Sequence, residues 1–200
     1  MHPDAAFHTD NRALMEALVE EIGFGMVFAA TPDGPRVAHA ALLWTGDGAL
    51  QFHLSRGNAL TRHLDGMTAL AVVNGPDAYV SPRWYDDATQ VPTWNYVTVE
   101  MEGRVRKMDG DGLSGLLDSL SRRNEARIAQ GQPWTMAMTP PATLARMKQG
   151  IVGFELEVQA WRPTFKLSQN KPADERERVA LGLEAAGSIA IAQLMRDVVG

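Results

Sequence analysis

The clearest regularity along the chain is a strict alternation over residues 96–106. Val97, Val99, Met101 and Val105 share one side, and Thr98, Glu100, Glu102, Arg104 and Arg106 share the other. Successive side chains of a strand point to opposite faces, so this pattern predicts a half-solvated antiparallel strand. The same period sets Leu50, Phe52 and Leu54 against Gln51, His53 and Ser55 in a strand over 49–54. It also turns Val152, Phe154, Leu156 and Val158 inward in a strand over 151–158. Apolar runs at 23–30, 36–44, 69–74 and 78–81 predict further strands. The turn sequences TPDGP (31–35) and TGDG (45–48) join the first three as hairpins. Helical spacing appears over 10–21, where Leu14 and Leu18 fall on one face, and over 113–129. A short helix is expected from 57 to 64, a Pro- and Asp-rich loop over 82–92, and one or two helices over 172–199. Strands linked by tight turns, with helices between and after them, predict an α+β fold. Its antiparallel sheet of six or so strands would close a small barrel.

Composition narrows the classes of function. The 200 residues are 45% hydrophobic and 22% charged, a globular balance able to bury a core. The formal net charge of −5 argues against a surface built to grip a phosphate backbone, although a local basic patch is compatible with it. There is no cysteine, so disulfides, thiolate metal sites and thiol nucleophiles are excluded. The opening MHPDAAFHTDN lacks the basic and apolar regions of a secretory signal, and no apolar run is long enough to span a bilayer. The cytoplasm is the default expectation, with no membrane partner.

Three stretches concentrate polar chemistry. In HLSRGN (53–58) a strand runs into an expected helix start at Ser55, with Arg56 and Asn58 beside it. That is either an ordinary helix cap with a solvated arginine or an anion site. In AYVSPRWYDDATQVPTWNY (78–96) aromatic residues crowd one loop. They either pack an interface or form a stacking surface whose neighbours Ser81, Thr93 and Asn95 hydrogen-bond the edge of a planar ligand. In FKLSQNK (165–171) alternation puts Phe165, Leu167 and Gln169 opposite Lys166, Ser168 and Asn170. It reads as a strand exit and helix cap, or as a lysine reaching a phosphate or a carbonyl of a ligand. His39 lies in a mostly apolar strand and reads as a satisfied core histidine, whereas His53 on a polar face is the better ligand candidate. The GDGLSG of 110–115 matches a dinucleotide fingerprint in letters only, since the preceding strand alternates instead of being apolar throughout. No metal-ligand spacing, serine-hydrolase elbow or P-loop occurs.

In this order, AHAALL (38–43), FHLSRGN (52–58), GPDAYVSPRWY (75–85), VPTWNY (91–96), EGRVR (102–106), IVGFELEV (151–158) and FKLSQNK resemble the PaiB family. The family has a Pro near the place of Ala41 and an Asn-Pro pair where this chain has Asn58-Ala59. The resemblance implies an antiparallel six-stranded split β-barrel that binds FMN, with flanking and C-terminal helices. The barrel would occupy 1–170, and a helical appendage over 171–200 would pack on it. It further implies a homodimer with flavin at the subunit interface. His53, Ser55, Arg56 and Asn58 would hold the phosphate, with His39 counted among the cofactor-binding residues. Tyr79, Ser81, Thr93, Trp94 and Asn95 would face the ring and ribityl chain, and Lys166, Ser168 and Gln169 would close the site. The family is associated with negative transcriptional regulation, so a flavin-binding regulator is the first expectation. A nucleic-acid partner is not favoured by the net charge. A flavin-dependent oxidoreductase using NAD(P)H is the alternative; no residue stands out as an obligate acid or base, because the flavin would carry the hydride chemistry.

Overall fold

The computed structural model describes residues 2–199. Six strands form the sheet: β1 (Phe24–Thr31), β2 (Gly34–Trp44), β3 (Ala49–Ser55), β4 (Thr68–Val80), β5 (Thr93–Lys107) and β6 (Ile151–Lys166). They follow the order β1-β2-β3-β6-β5-β4 and close on themselves, since Met26, Val27 and Phe28 of β1 pair with Val72, Ala71 and Leu70 of β4. The α+β antiparallel barrel expected from the alternation is the fold observed. Five helices accompany it: α1 (Arg12–Ile22), α2 (Gly110–Glu125), α3 (Pro141–Gln149), α4 (Ala173–Ala185) and α5 (Ile189–Val199). Among the described residues no helix is long and apolar enough to cross a membrane.

Two strands run further than the sequence suggests. The stretches expected over 69–74 and 78–81 are one strand, β4, which continues through Gly75 and Pro76. Likewise β6 passes through Pro163 and ends at Lys166. A proline removes only its own N–H, and a strand tolerates it where that donor has no ladder partner. The helix expected over 57–64 is absent, and a succession of turns stands in its place.

The chain divides into two compact units, one of residues 1–15, 74–99 and 162–200, the other of residues 16–73 and 100–161. In the second unit Val27, Leu42, Leu50, Phe52, Met101, Phe154 and Leu156 are sealed from solvent. Phe52 and Phe154, partners across β3 and β6, stack with centroids 5.6 Å apart. The helix α2 is capped by Asp109, whose carboxylate accepts from the Gly112 N–H at 2.8 Å. Its far end is tied to β2, where Arg123 Nη2 donates to the Leu42 carbonyl at 2.9 Å. Gly103 of β5 lies against β6 so closely that a Cβ there would stand 1.8 Å from the Glu157 carbonyl oxygen. Only a residue without a side chain permits that approach.

In the first unit Val80, Val97, Phe165, Leu167, Val179, Leu183, Ile191 and Met195 form the core. Gly187, at φ +86°, separates α4 from α5. Arg196 of α5 reaches two carboxylates of α4, Glu184 at 2.6 Å and Glu177 at 2.8 Å. The Trp84 indole rests on α4 at Gly182, where a Cβ would come within 2.4 Å of the ring.

Candidate functional site

The strand β3 delivers the first group of expected residues, all in the second unit. Leu50, Phe52 and Leu54 point inward, which leaves His53 half-buried and Ser55 at the exposed strand end. His53 sits opposite Gly153 of β6, and its Nδ1 is buried with no hydrogen-bond partner. Burial pushes its pKa below the usual 6.5. Beyond Ser55 the chain turns repeatedly, with Asn58 N–H donating to Ser55 O at 2.9 Å and Thr61 N–H to Asn58 O at 3.0 Å. The side chains explain why no helix forms. Ser55 Oγ accepts from the Gly57 N–H at 3.4 Å and Asn58 Oδ1 accepts from the Leu60 N–H at 2.9 Å. Such side-chain bonds compete with helical ones, and Gly57 adds no helix propensity. The anion site therefore has no helix N-terminus of its own at Ser55.

Arg56 is held in place by backbone. Its N–H donates to Gly150 O at 2.8 Å, and its Nε donates to Gln149 O at 2.9 Å, at the C-terminal end of α3. A guanidinium has five N–H donors, so these bonds orient it without exhausting it. Beside it lies a cavity of about 300 Å³ that also receives Lys107, Lys148 and the start of α2 at Asp109 and Gly110. Lys107 and Lys148 were not singled out in the sequence, because nothing local links residues so far apart in the chain. His39 is a correction. It does not lie in the core: Ala38, Ala40, Leu42 and Trp44 take the inward positions of β2, and the alternation turns His39 to solvent opposite Met26.

The second group lies in the first unit. Tyr79 on β4 and Trp94 on β5 meet edge to face with centroids 6.3 Å apart, and remain 46% and 53% exposed. Ser81 caps the short turn Pro82–Trp84, its Oγ accepting from the Arg83 N–H at 3.3 Å. A cavity of about 730 Å³ opens among Tyr79, Ser81, Arg83, Trp84 and Trp94. Two adjoining exposed rings beside a cavity of this size form the kind of surface that ligand and assembly sites use.

Thr93, Asn95, Lys166 and Ser168 meet at a different cavity of the same unit, about 310 Å³ in volume. Asn95 is fully buried; its Nδ2 donates to Ser168 Oγ at 2.9 Å and contacts Met195 Sδ at 3.3 Å. Ser168 is buried too and takes φ +61°, the left-handed region. That conformation ends the alternation expected for FKLSQNK, so Leu167 and Ser168 are both buried in succession. Gln169 folds back on its own turn, its Oε1 accepting from Leu167 N–H at 2.7 Å and its Nε2 donating to Phe165 O. Lys166 Nζ donates to Thr93 Oγ1 and to Trp94 O at 2.8 Å. Tyr85 and Lys171, absent from the sequence-based set, join this cavity although both lie inside stretches the sequence marked.

The closed six-stranded antiparallel barrel with its accompanying helices is a split-barrel fold. Over residues 1–160 the chain matches the family described as "Putative FMN-binding domain", and it belongs to that family. FMN is accordingly its cofactor. The chain is 28% identical to the protease synthase and sporulation protein PAI 2 of Bacillus subtilis over 96% of this chain and 94% of that protein. It is 30% identical to an uncharacterized Aspergillus fumigatus protein over 70% of this chain and 60% of that one. Among solved structures it is similar to the FAD and heme binding protein from Mycobacterium smegmatis, with TM-score 0.63 and 21% identity over 90% of this chain and 80% of that one. It is also similar to the flavocytochrome Anf3 from Azotobacter vinelandii, with TM-score 0.58 and 12% identity over 82% and 72%. These structural likenesses carry the fold.

The residues present fit the cofactor. The cavity at Arg56 is lined by three cationic residues, Arg56, Lys107 and Lys148, against one carboxylate, Asp109, an excess suited to a phosphate, and the buried, unpartnered Nδ1 of His53 lies on the same strand end.

Proposed function

We propose that the protein is an FMN-carrying regulator of gene expression that works as a homodimer. What supports the regulatory reading most is the match to PAI 2 along almost the full length of both chains, which makes the two alike in architecture throughout. The net charge of −5 favours a regulator that acts through another protein over one that grips DNA by bulk electrostatics.

On this reading Arg56, its Nε held by the Gln149 carbonyl, presents its other guanidinium N–H groups to a phosphate, with Ser55 and Asn58 shaping the turn around it. In the other unit Tyr79 and Trp94 present an exposed aromatic face, with the Ser81 hydroxyl on the same unit, a surface suited to a flat ring. When bound, FMN supplies reversible redox chemistry at its ring. The chain's own task is to orient it and to let its state bias a conformation or a partner contact. The exposed aromatic pair is also the surface most suited to a subunit seam.

The open 730 Å³ cavity favours one further reading, an oxidoreductase in which NAD(P)H approaches the flavin. The test is equilibrium titration of the purified protein with FMN, followed by transcript profiling of a deletion strain and NAD(P)H oxidation by the loaded protein. Uptake of FMN with altered transcripts and no turnover supports the regulator. Steady turnover with unaltered transcripts replaces it with the oxidoreductase, and folded protein that takes up no FMN overturns both.

A further inference from the structure

The cavity of about 310 Å³ in the first unit carries a charge imbalance that the flavin reading does not use. Lys166 and Lys171 both line it, and the Lys171 charge disfavours that of Lys166. Their acceptors are uncharged. Lys166 donates to the Thr93 hydroxyl and the Trp94 carbonyl, and Lys171 to Gln90 Oε1 at 2.6 Å. Lys166 also lies 5.8 Å above the Phe7 ring, and Lys171 5.8 Å above the Tyr85 ring.

Among the lining residues the one carboxylate is Asp4, which leaves two lysines against one acid. Asp4 Oδ1 accepts from the Ala6 N–H at 3.0 Å. Asp87 accepts from the Thr89 N–H at 2.8 Å and from the Thr89 hydroxyl and Gln90 amide, and reaches Lys171 only at longer range. Glu175 accepts from the Asp86 N–H at 3.3 Å. Among the described residues neither lysine has an ion-pair partner. Burial, with Lys171 nearby, pushes the Lys166 pKa below its ordinary value. Two half-buried ammonium groups with only neutral acceptors are unfavourable unless an anion joins them.

The N-terminal segment forms one wall. The His2 N–H donates to Thr164 Oγ1 at 3.1 Å, and Phe7 is buried at 2% exposure. The cavity is thus bounded by its own chain on several sides, with the Asn95–Ser168 pair in its lining.

We propose that this cavity is a binding site for a small phosphate-bearing molecule, held by Lys166 and Lys171 with the Tyr85 and Thr93 hydroxyls. A phosphate offers several oxygens to separate point-charge donors, which two lysines and two hydroxyls match better than they match a planar carboxylate. The volume exceeds what inorganic phosphate needs and leaves room for a small organic group. The site goes beyond the flavin reading: it takes a second ligand, separate from FMN.

The experiment is isothermal titration of the full chain with inorganic phosphate and with glycerol phosphate, at constant ionic strength set by chloride. It is run on apo protein and on FMN-loaded protein, with FMN content read by absorbance in the same samples. Both probes should bind with and without FMN. In an Arg56→Ala background, which removes the arginine donors of the other cavity, Lys166→Gln and Lys171→Gln should each weaken binding by about tenfold or more, the loss expected for one charge-assisted hydrogen bond. Lys171→Arg, which keeps the charge, should retain most of the affinity, and far-ultraviolet circular dichroism should show all variants folded. Phosphate binding that survives when both lysine changes are added to Arg56→Ala in a folded protein overturns the proposal. So does stoichiometric displacement of phosphate by FMN, which would make the cavity the cradle of the flavin's own phosphate. Absent FMN uptake with intact phosphate binding would sink the flavin reading alone.

Discussion

Replacing Asn95 by Ala removes a side chain that is fully buried and bonded to two partners. The Ser168 hydroxyl, itself 4% exposed, then loses the amide that both donates to it at 2.9 Å and accepts from it at 3.2 Å. A buried polar group left without such a partner costs about 1–3 kcal/mol. Truncating the amide also leaves space beside Met195, while the Tyr85 hydroxyl still bonds Ser168, so the middle of that range applies. For a chain of this length about 2 kcal/mol lowers the melting temperature by about 4–8 °C. The assay is thermal denaturation of apo Asn95→Ala and Ser168→Ala, singly and together. Because the two side chains bond each other, the double variant should lose clearly less than the sum of the singles. Ser168→Gly should be milder than Ser168→Ala, since glycine accepts φ +61° without strain. An apo Asn95→Ala protein that melts within about 1 °C of the parent, well below the shift derived above, yet fails to take up FMN would refute the reasoning. It would make Asn95 a cofactor ligand instead of a buried lock.

Three further outcomes are expected. Arg56→Ala should weaken FMN by about tenfold or more and leave riboflavin, which has no phosphate, nearly unchanged; parallel fluorescence titrations check this, and equal losses would remove Arg56 from the phosphate role. His53 takes up a proton less readily folded than unfolded, so stability should be complete above pH 6.5 and decline as the pH falls below it. In His53→Asn that part of the acid-side loss should vanish; urea midpoints measured on both sides of pH 6.5 decide, and an unchanged slope counts against the imidazole. Gly182→Ala should lower the melting temperature, because its methyl would fall within 2.4 Å of the Trp84 indole. A wild-type melting curve would mean that Trp84 moves freely off α4.

How much of this was legible depended on whether a residue's neighbours in sequence are also its neighbours in space. The alternation over 96–106 gave β5 its inward face, and parity alone carries that face back to Asn95 and on to Gly103. The hairpins joining β1, β2 and β3 were readable from their turns. The helix α3 was missed because none of its residues is buried, so it has no apolar stripe to read. The false helix at 57–64 came from treating Ser55 as a helix cap, when its hydroxyl and the Asn58 amide stabilise turns. His39 was misplaced by judging its strand's composition and not its parity. Within the candidate sites, the aromatic loop and FKLSQNK stood out by density of polar and ring groups. Lys107 and Lys148 emerged only once the chain was folded, since nothing in their local sequence marks them.

Gly103 has a bearing on how relatives of this chain can be compared. With a carbonyl oxygen where its first side-chain atom would lie, the position tolerates no drift while β5 and β6 keep their present crossing. It therefore serves as a fixed mark for laying one homologue over another. A descendant carrying any other residue there must have slid or spread that strand pair, and every equivalence drawn from it outward along either strand would need to be redrawn.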